Sequence, residues 1–156
     1  MTWGQHNVIV VLMIPDLIDI NSPWKVLPPG IHLASLSEIE ACYAFNPVRR
    51  DLFRGLTAGF KMLQAANCKK VLLDGSFVTG KPEPGDFDAC WETIGVDSSK
   101  VDPVLFDFSN KRAAQKAKYK GEFFPAYAPA ERGVFFINFF QRDRYTHQSK
   151  GIIQIQ

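Results

Sequence analysis

Two aspartates separated by one phenylalanine, Asp86-Phe87-Asp88, lie nine residues beyond a Gly75-Ser76 pair. In an extended strand alternate side chains share a face, so both carboxylates point one way and Phe87 the other. Phe87 can then anchor the strand in a core while the two acids face a cleft. Carboxylates one pleat apart repel each other unless a positive charge separates them. A hard divalent cation such as Mg²⁺ meets that need, because it takes oxygen ligands and keeps positions for phosphate oxygens. The Gly75-Ser76 turn supplies a complementary part. Glycine lets the backbone approach a ligand, and the N–H groups opening the next turn cradle a phosphate. The Ser76 hydroxyl either bonds the terminal phosphate or caps the following turn with no ligand involved. Lys81, in the loop between, reaches a phosphate or simply solvent. Asp107, between Phe106 and Phe108, again sets an acid between large apolar residues. On a neighbouring strand it would complete a triad with Asp86 and Asp88. Asp102 competes for that third place, although the following Pro103 marks a strand entrance. Cation, phosphate cradle and spare carboxylate suit in-line transfer at phosphorus, the carboxylate taking the proton from the attacking hydroxyl.

The surrounding pattern must place these groups. Ser35 with Glu38 makes a capping box, starting a short helix that runs to about Ala44. Asn46 caps a second helix, with Pro47 at its first position. Leu52, Phe53, Leu56, Phe60 and Leu63 recur at helical spacing over 47–66, so that face packs on a core. Arg49, Arg50, Arg54, Lys61 and Gln64 fall largely on the other side. Trp24 to His32 reads as an extended, proline-stiffened approach. Lys70 to Leu73 reads as a buried strand, Phe87 to Trp91 as a second and Val101 to Phe108 as a third. Residues 109–120 read as helix, Pro125 to Gly133 as loop, Val134 to Phe140 as helix and Gly151 to Ile155 as strand. Residues 1–14 look like an apolar strand, and 1–13 are either an N-terminal extension, with Met13 as the start, or an extra edge strand. The order predicts an α/β (α+β) chain with a small mixed sheet backed by helices, in a single domain over 1–156.

With 156 residues and 46% apolar composition the chain can bury a core of its own. A net charge of +2 gives no general nucleic-acid affinity. Acids cluster at Asp86, Asp88, Glu92, Asp97, Asp102 and Asp107, and a basic run, Lys111, Arg112, Lys116, Lys118 and Lys120, follows. That order fits a metal site beside a phosphate-facing or RNA-binding segment, and equally a solvated strand edge followed by a solvated helix. Cys42, Cys68 and Cys90 are too scattered for a disulfide frame or zinc site and read as reduced cytoplasmic thiols. The apolar run Val8 to Ile14 is too short to span a bilayer, and no membrane partner is expected. His6, His32 and His147 build no metal site. Arg142 and His147 match an Arg-x4-His ribonuclease spacing, but strands argue against the all-helical domains that use it.

The pattern of Gly75-Ser76, a nine-residue loop and Asp86-Phe87-Asp88-Ala89 resembles the nucleotidyltransferase superfamily. The resemblance implies Mg²⁺-dependent transfer of a nucleoside monophosphate from ATP or another NTP to an acceptor: tRNA, protein or small molecule. It implies Gly75 and Ser76, with Lys81, at the triphosphate. Asp86, Asp88 and Asp107 would be the metal-binding and catalytic carboxylates. Small stand-alone members are often toxin, antitoxin or phage-defence components, which implies a cognate toxin or antitoxin protein as partner. The stretches "LPPGIH", "NPVRR", "LDGSFVT" and "DPVLFDF" are also similar to those of a small bacterial family, from about Ile14 onward. Asp74 departs from the superfamily pattern, where an apolar residue precedes the glycine. It is either an extra ligand or a hydrogen-bond partner of the turn. Only about ten residues separate the second and third expected strands, and no segment reads as an acceptor-binding domain. An alternative class is an inactive module that keeps the fold and binds a nucleotide or a partner protein.

Overall fold

The helix starts follow their caps. In the computed structural model, which describes residues 14–156, the Ser35 hydroxyl accepts from the Glu38 amide and opens α1 (Leu36–Tyr43). Asn46 accepts from the Arg49 amide and opens α2 (Pro47–Ala65), with Pro47 in its first turn. The expected N-terminal extension, its strand-like run and the Met13 start lie outside the described residues.

Five strands form one mixed sheet: β1 (Gly30–Ala34), β2 (Val71–Asp74), β3 (Phe87–Trp91), β4 (Gly121–Pro125) and, last in the chain, β7 (Gly151–Ile155). Their order is β1-β7-β2-β3-β4. β1 runs parallel to β7 and β3 parallel to β4, while β2 is antiparallel to both β7 and β3. A separate two-stranded ribbon pairs β5 (Pro129–Glu131) with β6 (Val134–Phe135) and leads into the single turn of α4 (Phe136–Phe139). Among the described residues the architecture is therefore α+β, with a five-stranded mixed sheet and four helices. Among the described residues no helix is long and apolar enough to cross a membrane.

Strand alternation divides the sheet into two unlike faces. Val71, Leu73, Phe87, Ala89, Trp91, Phe123, Ile153 and Ile155 join the main core with Ile39, Leu52, Phe53, Leu56, Phe60 and Leu63 from α1 and α2. Helix and sheet approach closely there, since a β-carbon at Gly59 would run into the Phe123 ring. The opposite face carries Leu72, Cys90, Phe124 and Ile152, which pack with Ile137, Phe136 and Phe140 around α4.

Several expectations change. Val101 to Phe108 is not a strand; it holds a 3₁₀ turn over Pro103–Phe106, opened by the Asp102 side chain accepting from the Val104 amide. Pro103 suits the first position of such a turn and cannot donate to a sheet ladder. The strand beside β3 is β4, which sequence patterning left without an element. Helix α3 (Ser109–Tyr119) precedes it, and Asn110, Lys111 and Arg112 take left-handed angles (φ 51°, 56° and 60°). The expected loop at 125–133 contains β5, and the expected helix at 134–140 is a short strand followed by one helical turn. Trp24 to His32, expected only as an extended approach, runs into β1.

Candidate active site

The pairing register builds the site. Asp74 on β2 lies directly opposite Asp88 on β3, and Asp88 lies directly opposite Glu122 on β4. Paired positions share a face, so three carboxylates form a row across three strands, on the face that α4 packs against elsewhere, with Asp74 and Glu122 buried. Asp86 stands one pleat ahead of Asp88 on the same side. Phe87 points the opposite way and is fully buried against Phe123, as its spacing predicts.

Adjacent strands lie about 4.8 Å apart, so the backbones that carry the row span roughly 10 Å. Consistent with this, no group of three histidine, cysteine, aspartate or glutamate side chains stands together as a metal cage among the described residues. Asp86 and Asp88, one pleat apart on one face, are a pair of neighbouring carboxylates. That fits Mg²⁺, which commonly uses one or two carboxylates and completes its shell with water and phosphate oxygens.

The electrostatics mark the crowding. Burial first, then the charges of Asp86 and Glu122, raise the Asp88 carboxyl to about 7, against the opposing pull of Lys150 and Arg112. Asp86 is also raised, by burial and then Glu122, with Lys116 and Lys81 opposing. Asp74 is fully buried. Burial and the charge of Asp88 push it well above the ordinary carboxylate range. Its Oδ2 accepts from the Cys90 thiol at 3.5 Å, and its Oδ1 has no hydrogen-bond partner. Glu122 behaves oppositely. Burial pushes it up, but Lys116 and Arg112 outweigh burial and hold it below its usual value. Arg112 Nε stands 2.7 Å from one Glu122 oxygen and Lys116 Nζ 2.8 Å from the other. The left-handed turn before Arg112 delivers it there, its guanidinium 4.8 Å from the Phe124 ring centre. Three non-glycine residues in that conformation store strain, a feature that concentrates at functional sites.

The glycine turn closes on the same acids. Gly75 has φ +78°, and a β-carbon there would collide with the Asp88 carboxylate. A 3₁₀ turn over Ser76–Val78 follows, with Gly75 rather than the Ser76 side chain at its cap. From the other side Arg49 clamps the loop. It is fully buried, not on the polar face of α2 as expected, and donates to the carbonyls of Tyr43, Phe77, Thr79 and Lys81. Its guanidinium also lies 4.5 Å and 5.3 Å from the Phe45 and Phe77 ring centres. Lys81 is thereby fixed through its backbone, close enough for its charge to act on Asp86.

Asp107 does not join the row. It is exposed, in the turn between Phe106 and Phe108, which are themselves 51% and 47% exposed, and it accepts from the Ser109 amide and hydroxyl. Hydrogen bonding to Ser109 lowers its pKa. Asp102 is also excluded: it pairs with Lys118 and accepts from Tyr119 Oη at 2.6 Å, tying its turn to α3. The third carboxylate of the row is Glu122. Arg142 and His147 close a turn, Arg142 Nε donating to the His147 carbonyl at 3.3 Å.

The chain corresponds to DUF6932, a family of unknown function, over residues 18–156. It belongs to that family. No curated protein and no solved structure matches it.

Proposed function

We propose that this member of the family is a Mg²⁺-dependent nucleotidyltransferase that moves a nucleoside monophosphate from ATP or another NTP to an acceptor hydroxyl or phosphate. The observation that carries the reading is the in-register row Asp74, Asp88 and Glu122, with Asp86 one pleat away and the Gly75 turn packed against Asp88. The resemblance of the Gly-Ser and Asp-x-Asp spacing to the nucleotidyltransferase superfamily supports it.

Asp86 and Asp88 are the residues that would hold Mg²⁺, and the ion would neutralise triphosphate charge and orient the phosphoryl group. Gly75 and Ser76 offer backbone N–H groups and a hydroxyl to the phosphates. Lys81, Arg112 and Lys116 supply positive charge at the edge of the row, where charge develops on a transferring phosphoryl group. Glu122 takes the place expected for Asp107 and, through its two ion pairs, orients Arg112 and Lys116.

The test is transfer of label from α-labelled NTPs with Mg²⁺ and total tRNA or lysate. Label should appear with the native chain and fall at least about a hundredfold in Asp86→Asn and Asp88→Asn. Transfer that persists in both variants overturns the reading. A second reading is an inactive nucleotide-binding module, favoured by the two cations that already occupy both oxygens of Glu122. It expects nucleotide binding without transfer.

A further inference from the structure

At the end of the sheet that carries Asp86 and Glu122, a cavity of about 620 Å³ opens between α2 and the loops leading into β3 and β4. Its volume suits a small-molecule site. Arg50 and Arg54, one helical turn apart on α2, line it from one side, Pro84 and Gly85 from the β3 loop and Lys120 from the β4 loop. Gly85 is the residue before Asp86, and Lys120 is separated from Glu122 only by Gly121. The two lead-in loops are joined, the Phe87 amide donating to the Lys120 carbonyl at 3.4 Å. The groove thus shares the sheet end where Asp86 stands, on the α2 side of the sheet, while the acidic row faces the other side.

Its charge is opposite to that of the row. Three cations line it against one acid, Asp51, and that acid is paired with Arg54 at 3.0 Å. No ion pair is recorded for Arg50 or Lys120 among the described residues. The first turn of α2, Pro47 and Val48, forms part of the wall and brings the positive end of a 19-residue helix. Among the described residues no aromatic side chain lines the groove, so its polar contacts come from the two arginines, the lysine and Asp51. Guanidinium groups are suited to phosphate through paired N–H donors.

We propose that this groove binds a phosphate ester of the acceptor, held by Arg50, Arg54 and Lys120, so that the rest of the acceptor reaches Asp86 around the shared end of the sheet. The inference rests on the nucleotidyltransferase reading for the word acceptor. The phosphate itself is either a monoester on a small molecule or a diester in a nucleic-acid backbone.

Calorimetric titration without NTP or divalent cation tests the site apart from catalysis. The probes are inorganic phosphate and an RNA octamer lacking terminal phosphates, against the full chain. The double variant Arg50→Gln/Lys120→Gln should weaken the probe that binds by about tenfold or more, because each lost charge-assisted contact is worth close to that factor. Lys61→Gln, an exposed lysine of α2 outside the groove, should leave the affinity unchanged. Binding of phosphate alone assigns a monoester. Binding of the octamer, with a log–log salt slope of about −2 for three neutralised phosphates, assigns a backbone. Circular dichroism checks that the variant is folded. Neither probe binding, or equal binding by a folded variant, overturns the proposal. Failure of the nucleotidyltransferase reading appears separately, as label transfer indifferent to Asp86→Asn and Asp88→Asn.

Discussion

Asp88 is where the sheet and the chemistry are in direct conflict. A carboxyl raised from its ordinary value to about 7 keeps its proton in the folded state when the unfolded chain has already lost it. Between roughly pH 4 and pH 7 the folded state therefore binds more protons than the unfolded one, and stability falls as pH rises. Asp74 and Asp86, both raised, act in the same direction. Glu122, held low by Lys116 and Arg112, acts oppositely and only at more acid pH. Without divalent cation, the melting temperature should drop across pH 4–7. Asp88→Asn, neutral at every pH, should make that slope shallower, leaving the part that Asp74 and Asp86 contribute, and Mg²⁺ should raise the wild-type melting temperature most at the alkaline end. A wild-type profile that is flat over this range, or one matched by Asp88→Asn, contradicts the crowding described for the row. The same conflict explains Gly75, since a β-carbon there would displace the Asp88 carboxylate.

At the scale of elements, the Gly-Ser loop is held by one side chain from another element. Arg49 satisfies four carbonyls, and without it each is left as a buried acceptor costing about 1–3 kcal/mol. Arg49→Ala should therefore cost at least about 3 kcal/mol, lowering the melting temperature by roughly 6–12 °C. It should also weaken NTP binding by loosening residues 76–81. Arg49→Lys restores part of the stability, because an ammonium cannot reach four carbonyls in a planar fork. A melting temperature unchanged within error in Arg49→Ala would remove the clamp. Sequence patterning made α1, α2, β3 and β7 legible, because caps and periodicity are local. It placed Arg49 outside, because a helical repeat says which residues face a core and nothing about a buried cation satisfied by carbonyls of a distant loop. It also missed β4, where Gly121-Glu122-Phe123-Phe124-Pro125 has no alternation to distinguish a strand. That miss moved the third carboxylate to Asp107. A corrective signal was present: Asp102-Pro103 repeats the cap-then-proline signature of Asn46-Pro47, which starts a turn and not a strand.

For the molecule as a whole, the last strand in the chain is a central strand of the sheet. β7 separates β1 from β2, so this late segment joins strands 121 and 80 residues earlier, as in the pairs Ile31 with Ile152 and Leu73 with Ile153. Ile153 and Ile155 contribute to the main core and Ile152 to the smaller one, so one five-residue strand closes both. Lys150, immediately before it, places a positive charge where it acts on Asp74 and Asp88. Removing residues 151–156 strips β1 of its recorded sheet partner, opens one edge of β2 and deletes three buried isoleucines. At about 1.5–3 kcal/mol for each isoleucine, the loss approaches the total stability of an ordinary domain. The truncated chain should therefore lack a cooperative thermal transition and be digested rapidly by protease, whereas the intact chain resists. Adding a synthetic peptide of residues 149–156 in excess should restore protection in part, by mass action on the folded form. A truncation that still melts cooperatively, close to the intact chain, would mean that β7 covers the two cores without holding them together, and that the acidic row is assembled by β2, β3 and β4 alone.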